Sequence, residues 1–261
     1  MIISELCERD MHVHSKYSFD GARDGSGEPD ALAEAAIARG LREIAVCDHC
    51  DIDDILDGIY PPYPRREIAD SICAAKEKYA GRLKIDYGIE LGQPHARPDE
   101  ARALIRECGF DFVLGSLHNL RGYPDFAFLK YEEMTPEHID LLVRRAISEQ
   151  CEIARFEGIN ALAHITYIGR YLARSGVKFD FMQYEERWRE LFHILIENGI
   201  ALEVNTSGLR RGDITMPGEE LISLYFDCGG ELLTLGSDAH TARDVGADLS
   251  RADDMIGEIR R

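Results

Sequence analysis

No run of uncharged apolar residues in this chain approaches the ~20 needed to cross a bilayer as a helix, because charges such as Glu197 interrupt the best stretches. The first ten residues, Met1 to Asp10, lack the basic start and apolar stretch of a secretion signal, so a cytoplasmic location and no membrane partner are expected. Positive charge is scarce: 30 Lys and Arg face 48 Asp and Glu, and a net charge of -18 argues against general affinity for nucleic acid, whose phosphates would be repelled. Seven cysteines, an odd count, suit free thiols in a reducing compartment better than a disulfide framework. Repeats, low-complexity tracts and Pro/Ser-rich linkers are also missing, which leaves one domain over residues 1–261 as the expectation. What is present is enough apolar material, 45% of residues, to bury a core. A small anionic substrate would need a local positive site in so acidic a chain, and metal ions with a few arginines could supply one.

Short apolar, β-branched runs alternate with longer segments of helical period, the pattern of a parallel α/β fold. Seven strands are predicted, roughly Arg9 to Val13, Glu43 to Cys47, Lys84 to Leu91, Phe112 to Leu117, Ala161 to Ile165, Ala201 to Asn205 and Leu232 to Gly236. Ile68, Ile72, Ala75 and Tyr79 recur at helical spacing, as do Trp188, Leu191, Phe192 and Leu195, so both segments are expected to be outer helices packed on a barrel. Gly40 and Gly109 are placed as helix stops after residues 30–39 and 98–108.

Six of the nine histidines fall at predicted strand ends. In Asp10-Met11-His12-Val13-His14 two imidazoles two residues apart leave a strand on the same face and could grip one ion, while Asp10 on that face could instead orient an imidazole. His49 follows the second strand in Cys47-Asp48-His49-Cys50. Its Cys-x-x-Cys also reads as a redox pair or half a zinc clip, but no second pair completes a closed zinc site, and the thiols are read as packing around His49. Glu90 ends the third strand, where a carboxylate is costly to bury unless it meets a cation, so it could bridge two metals. His118 and His164 end the fourth and fifth strands; alone, His164 in an apolar run reads as a satisfied core histidine. Asp238 and His240 repeat the two-apart spacing after the last strand. If the first and last strands close a barrel, His12, His14, Asp238 and His240 meet at the strand C-terminal ends, where barrel enzymes keep their sites. His95, His138 and His193 share no such end and read as surface or packing residues. Nitrogen and carboxylate ligands without thiolate suit zinc, manganese or iron, with affinity falling at acid pH.

The ordered set His12-x-His14, Asp20, His49, Glu90, His118, His164, Asp238-x-His240 resembles the polymerase and histidinol phosphatase (PHP) superfamily across nearly the whole chain. The resemblance implies a distorted (β/α)7 barrel with two to three divalent metal ions. It implies one metal at His12, His14, Glu90 and Asp238, a second at Glu90, His118 and His164, and a third at Asp20, His49 and His240. Asp20 enters only through this match, since in Ser18-Phe19-Asp20-Gly21 it otherwise reads as a turn residue. The segment Leu202 to Arg210 is similar to the stand-alone histidinol-phosphatase branch, which implies phosphate binding by Arg210 and by Arg170, favoured over Arg174. The loops Leu91 to His95 and Asn119 to Pro124 depart from that branch, and they would face the leaving group.

The expected activity is hydrolysis of a small phosphomonoester by attack of a metal-bridging hydroxide, with L-histidinol phosphate the first choice of substrate. Arg210 and Arg170 would neutralise phosphate charge, Glu90 would bridge, and Asp238 would take up or relay a proton, so these four are the expected catalytic residues. A cyclic phosphodiester, or a phosphorylated ribose or nucleotide, is the alternative substrate. A non-catalytic metal-binding module is the alternative of another class.

Overall fold

A computed structural model describes residues 3–261. Among the described residues the strands are β1 (Arg9–Val13), β2 (Glu43–Val46), β3 (His49–Asp51), β4 (Lys84–Gly92), β5 (Phe112–Ser116), β6 (Ala161–Leu162), β7 (Ala201–Asn205) and β8 (Leu233–Gly236). The α-helices between and after them are α1 (Pro29–Ala38), α2 (Ile52–Leu56), α3 (Arg65–Lys78), α4 (Pro98–Cys108), α5 (Pro136–Ala154), α6 (Tyr167–Arg174), α7 (Glu185–Asn198), α8 (Glu219–Asp227) and α9 (Leu249–Ile259). All strand pairings are parallel, in the order β1-β2-β4-β5-β6-β7-β8, with β3 added beside β4.

Eight strand segments replace the seven expected because the second stave is broken. Its first half, β2, pairs with Lys84 to Tyr87 and its second half, β3, with Glu90 to Gly92. At the break Asp48 turns inward and its carboxylate accepts hydrogen bonds from Ser15 N, Ser15 Oγ and Ser18 Oγ, which tie the loop after β1 to this stave. The fifth predicted strand also shortens. Past Leu162, His164 adopts a left-handed backbone with φ of 23°, so the chain turns off the sheet three residues earlier than its apolar run suggests.

The sheet closes nearly to a barrel at the seam between β1 and β8. His14 N donates to Ala239 O at 2.7 Å and Asp238 N to His12 O at 2.8 Å. Asp10 reinforces this seam, accepting from Ser237 N, Ser237 Oγ and Gly246 N. The expectation that Asp10 orients an imidazole is therefore corrected: its oxygens are spent on backbone and hydroxyl donors of the last strand.

The helices wrap the outside, with Ile68, Ile72, Ala75 and Tyr79 of and after α3 buried, and Trp188, Leu191, Phe192 and Leu195 of α7 buried likewise. Gly40 and Gly109 follow α1 and α4 with positive φ. No helix among the described residues is long and apolar enough to cross a membrane. Cys47 and Cys50 are buried free thiols, with Cys47 Sγ directed at Met11 O.

Candidate metal and phosphate site

Glu90, two residues before the end of β4, stands fully buried at the centre of the C-terminal rim. Its two oxygens face two separate groups of imidazoles. Oε1 lies 3.0 Å from His118 Nε2 and 2.8 Å from His164 Nε2. Oε2 lies 3.3 Å from His12 Nε2, 3.5 Å from His14 Nε2 and 2.7 Å from His49 Nδ1. Asp238 Oδ1 is 3.3 Å from His14 Nε2, and Asp20 Oδ2 is 2.9 Å from His240 Nε2 and 3.7 Å from His49 Nε2. All nine residues singled out as metal ligands thus gather at one rim. His12, His14 and Glu90 form one group whose ligand atoms lie within 4.8 Å of one another; Glu90, His118 and His164 form another, and His14, His49 and His240 a third.

Strand alternation accounts for only part of this. His12 lies in β1, but Asp238 and His240 lie beyond β8, and Asp238 has a left-handed backbone with φ of 54°. Arg210 braces that turn by donating to Ser237 O at 2.6 Å and Asp238 O at 3.3 Å.

Donor chemistry and geometry both suit cations here. Glu90 Oε2, His49 Nδ1 and His240 Nε2 are buried without a hydrogen-bond partner, although each has an opposite group close by. Atoms that approach without hydrogen-bond alignment face a shared point, and a buried set of carboxylates and imidazoles arranged so fits divalent ions. Burial opposes ionisation of Glu90, yet the charges of His49, His118 and His12 hold its carboxyl well below the ordinary range. Asp238 is likewise held low, burial being outweighed by His14, His12 and His240. Burial and then the neighbouring His240 and His49 push His14 down to about 3, which leaves its ring neutral and able to offer a lone pair.

Two carboxylates that sequence reasoning missed orient imidazoles from behind. Glu203 of β7 places Oε1 2.7 Å from His12 Nδ1, while its Oε2 accepts from His164 N at 2.8 Å. Asp51 of β3 places Oδ1 2.7 Å from His118 Nδ1 and also accepts from Gln93 Nε2. Each bond fixes one ring nitrogen as the donor and turns the other toward Glu90. A signal was available, because Glu203 is an acid inside a buried strand, the same anomaly that marked Glu90. Asp51 also groups with His49 and His118 closely enough to share an ion.

A cavity of about 840 Å³ opens over the rim, lined by Asp20, His49, Glu90, His118, His164, Asp238 and His240 on one wall and by Arg170, Arg174 and Arg210 on another. Arg170 donates to Ser207 Oγ, its Nε is buried without a partner, and its side chain is 8% exposed. Arg174 is exposed and lies over the Tyr171 ring. His95 is buried against Glu149 at 3.1 Å, outside the cluster, and His138 and His193 sit on α5 and α7.

A parallel barrel carrying such a rim defines the class to which the chain belongs: the PHP domain family, whose model matches residues 10–207. Two histidinol-phosphatase relatives are similar along about nine-tenths of their own length. A probable histidinol-phosphatase of Thermotoga maritima is 25% identical over 252 residues, covering 97% of this chain and 91% of the relative. The histidinol-phosphatase of Lactococcus lactis subsp. lactis is 26% identical over 249 residues, covering 95% and 89%. The crystal structure of histidinol phosphate phosphatase from Lactococcus lactis subsp. lactis, complexed with zinc, L-histidinol and phosphate, superimposes with a TM-score of 0.78 at 23% identity, covering 96% of this chain and 93% of that one.

Proposed function

We propose that the protein is a metal-dependent phosphomonoesterase that hydrolyses L-histidinol phosphate to histidinol and phosphate. The observation that carries this reading is Glu90, whose two oxygens each face a different set of imidazoles beneath a wall of arginines. His12, His14, Glu90 and Asp238 would hold one metal, Glu90, His118 and His164 a second, and Asp20, His49 and His240 a third, with zinc, manganese or iron as the fitting ions. When bound, such ions act as Lewis acids toward phosphate oxygens and lower the pKa of water to about 7.

The chain's own groups complete the chemistry. Arg170, with an uncommitted Nε, and Arg210 bind phosphate oxygens and offset charge as it redistributes in the transition state. Ser207 Oγ, which accepts from Arg170, donates to Asn205 Oδ1 at 2.6 Å and lies 3.1 Å from Asp238 Oδ2, keeps the arginine and the carboxylate in one register. Asp238 Oδ1, facing His14, is placed to take a proton from attacking water. Histidinol-phosphatase relatives aligned over nine-tenths of the chain support the substrate. The net charge of -18 and the free thiols support a cytoplasmic protein without a nucleic-acid partner.

One observation favours a second reading, a cyclic phosphodiester or phosphorylated ribose: Arg39 and Arg243 also line the cavity, more guanidinium than one phosphate engages. Phosphate release from histidinol phosphate, cyclic nucleotides and nucleoside bisphosphates, before and after chelation, separates the two. Turnover of a cyclic diester with none of histidinol phosphate reverses the order. A folded, metal-replete protein inert toward every ester, with a His12→Ala variant no different, leaves the non-catalytic module as the reading.

A further inference from the structure

Among the described residues, four other than glycine have a left-handed backbone: Gln93, His164, Asp238 and Asp248. His164 and Asp238 belong to the metal rim. Gln93 lies beside them, directly after β4, with φ of 48° and ψ of 45°. That conformation brings Cβ against the backbone, and glutamine is not among the residues that visit it readily. It persists where surrounding contacts over-determine it.

The contacts of the Gln93 side chain do so. The residue is 1% exposed, its Nε2 donates to Asp51 Oδ1 at 3.1 Å and to Asp53 Oδ1 at 3.0 Å, and its Oε1 accepts from His118 N at 2.8 Å. Topology explains the reach. β4 runs between β3 and β5, with Gly92 paired to Asp51 on one side and to Ser116 on the other, so the next residue can touch both neighbouring staves. Gly92 completes the seat: a methyl group on it would fall 2.1 Å from Asp51 Oδ1 and 3.1 Å from Asp51 Cα, so the carboxylate lies directly over that bare position. The oxygen held there is the one that faces His118 Nδ1 at 2.7 Å.

The kind of donor matters as much as its place. A carboxamide offers N–H groups without charge, so it fixes Asp51 and Asp53 without neutralising either, and the charge of Asp51 stays directed at the His118 ring. Asn119 acts alike from the other side, its Nδ2 donating to Asp53 Oδ2 at 3.1 Å.

We infer that Gln93 is a positioning residue for the metal position at Glu90, His118 and His164: through Asp51 and the His118 backbone it sets the rotation of the His118 ring, so that Nε2 meets the ion. The inference rests on the reading of the rim as a metal centre. It gives a part in that centre to a residue whose side chain is spent on protein partners and does not line the cavity.

The test titrates zinc into the metal-stripped full chain by calorimetry, with His118→Ala identifying which ion belongs to this position. Gln93→Met, similar in length but without the amide, is expected to weaken that ion about tenfold and to leave the others within about twofold. Asp51→Asn is expected to weaken the same ion, and the double variant to lose clearly less than the product of the two single losses, because both act on one carboxylate oxygen. The visible bands of the cobalt(II)-loaded chain are expected to change alike in both single variants. Should Gln93→Met fail to fold, Gln93→Asn, which accepts the left-handed backbone but withdraws the amide by one methylene, is read in the same way. Multiplicative losses, or equal weakening of every ion with a lowered melting midpoint, would make Gln93 a structural residue only and overturn the inference. Unchanged zinc affinity in a folded Gln93→Met chain overturns it as well and leaves the metal centre standing. Wild type that binds no zinc overturns both.

Discussion

Glu203 Oε1 sits 2.7 Å from His12 Nδ1, with both side chains buried, so one imidazole at the rim has its tautomer set by an acid on β7, two strands away across the closing seam. Losing that charge while keeping the shape isolates the effect. Glu203→Gln is expected to weaken metal binding 10- to 100-fold, as such partners of metal-binding histidines do. Titration with zinc or manganese by calorimetry measures this, and unchanged affinity would show His12 to be oriented without Glu203.

Gly236 lies against this pair. A methyl group there would fall 2.3 Å from Glu203 Oε1 and 2.5 Å from His12 Cβ, closer than real contacts allow. Gly236→Ala is therefore expected to displace the pair, lowering bound metal per chain and the melting midpoint together. Elemental analysis with thermal unfolding checks both, and a variant with full metal content contradicts the argument.

Arg170 and Arg210 should differ in what their loss does. Arg170→Ala would remove the phosphate contact proposed for it and is expected to cost about 100-fold in kcat/KM with little change in melting temperature. Arg210→Ala also removes the brace on the Ser237–Asp238 carbonyls, so it is expected to lose metal affinity as well. Steady-state kinetics alongside metal content distinguishes the two, and identical profiles would mean the brace does not matter.

A pH effect away from the metals is expected at Glu149. Burial would raise its carboxyl, but hydrogen bonds from His95, Arg121 N and Arg145 outweigh that and hold it below its ordinary value of 4.5. A carboxyl lowered on folding contributes stability that is present above the unfolded value and lost as pH falls through the folded one. Glu149→Gln should thus destabilise by about 1–3 kcal/mol near pH 7, and the gap should narrow below pH 4.5. Urea unfolding at several pH values measures it; a gap constant with pH would remove the charge from the explanation.

The barrel and its rim were legible because both leave periodic traces. Apolar β-branched runs mark the staves, and a polar ligand type recurs directly after them at His49, His118 and His164. The break in the second stave was not legible, because the apolar run continues through Cys47 and only the tertiary contacts of Asp48 with Ser15 and Ser18 reveal the turn. Asp10 reads in the sequence as the partner for imidazole and Glu203 does not, because which acid takes that part depends on the barrel's closure, which brings Ser237 and Gly246 to Asp10 and leaves Glu203 facing His12. Asp51 and Gln93 were hidden for a similar reason. Their work is a cross-strand arrangement in which the Gln93 amide bonds Asp51 and Asp53 on one side and accepts from His118 N on the other.

The seam joining β1 to β8 is held in sequence terms by residues some 227 positions apart, as Asp10 and Ser237 are. Nothing local can preassemble it: the loop must close before its hydrogen bonds or any ion shared by His14 and Asp238 can reward closure. A cation captured there would act as a clasp between the two ends of the polypeptide. The last stave to dock in folding would then be the first to peel away when the ions are withdrawn, with outer helices such as α5 and α7 still packed together.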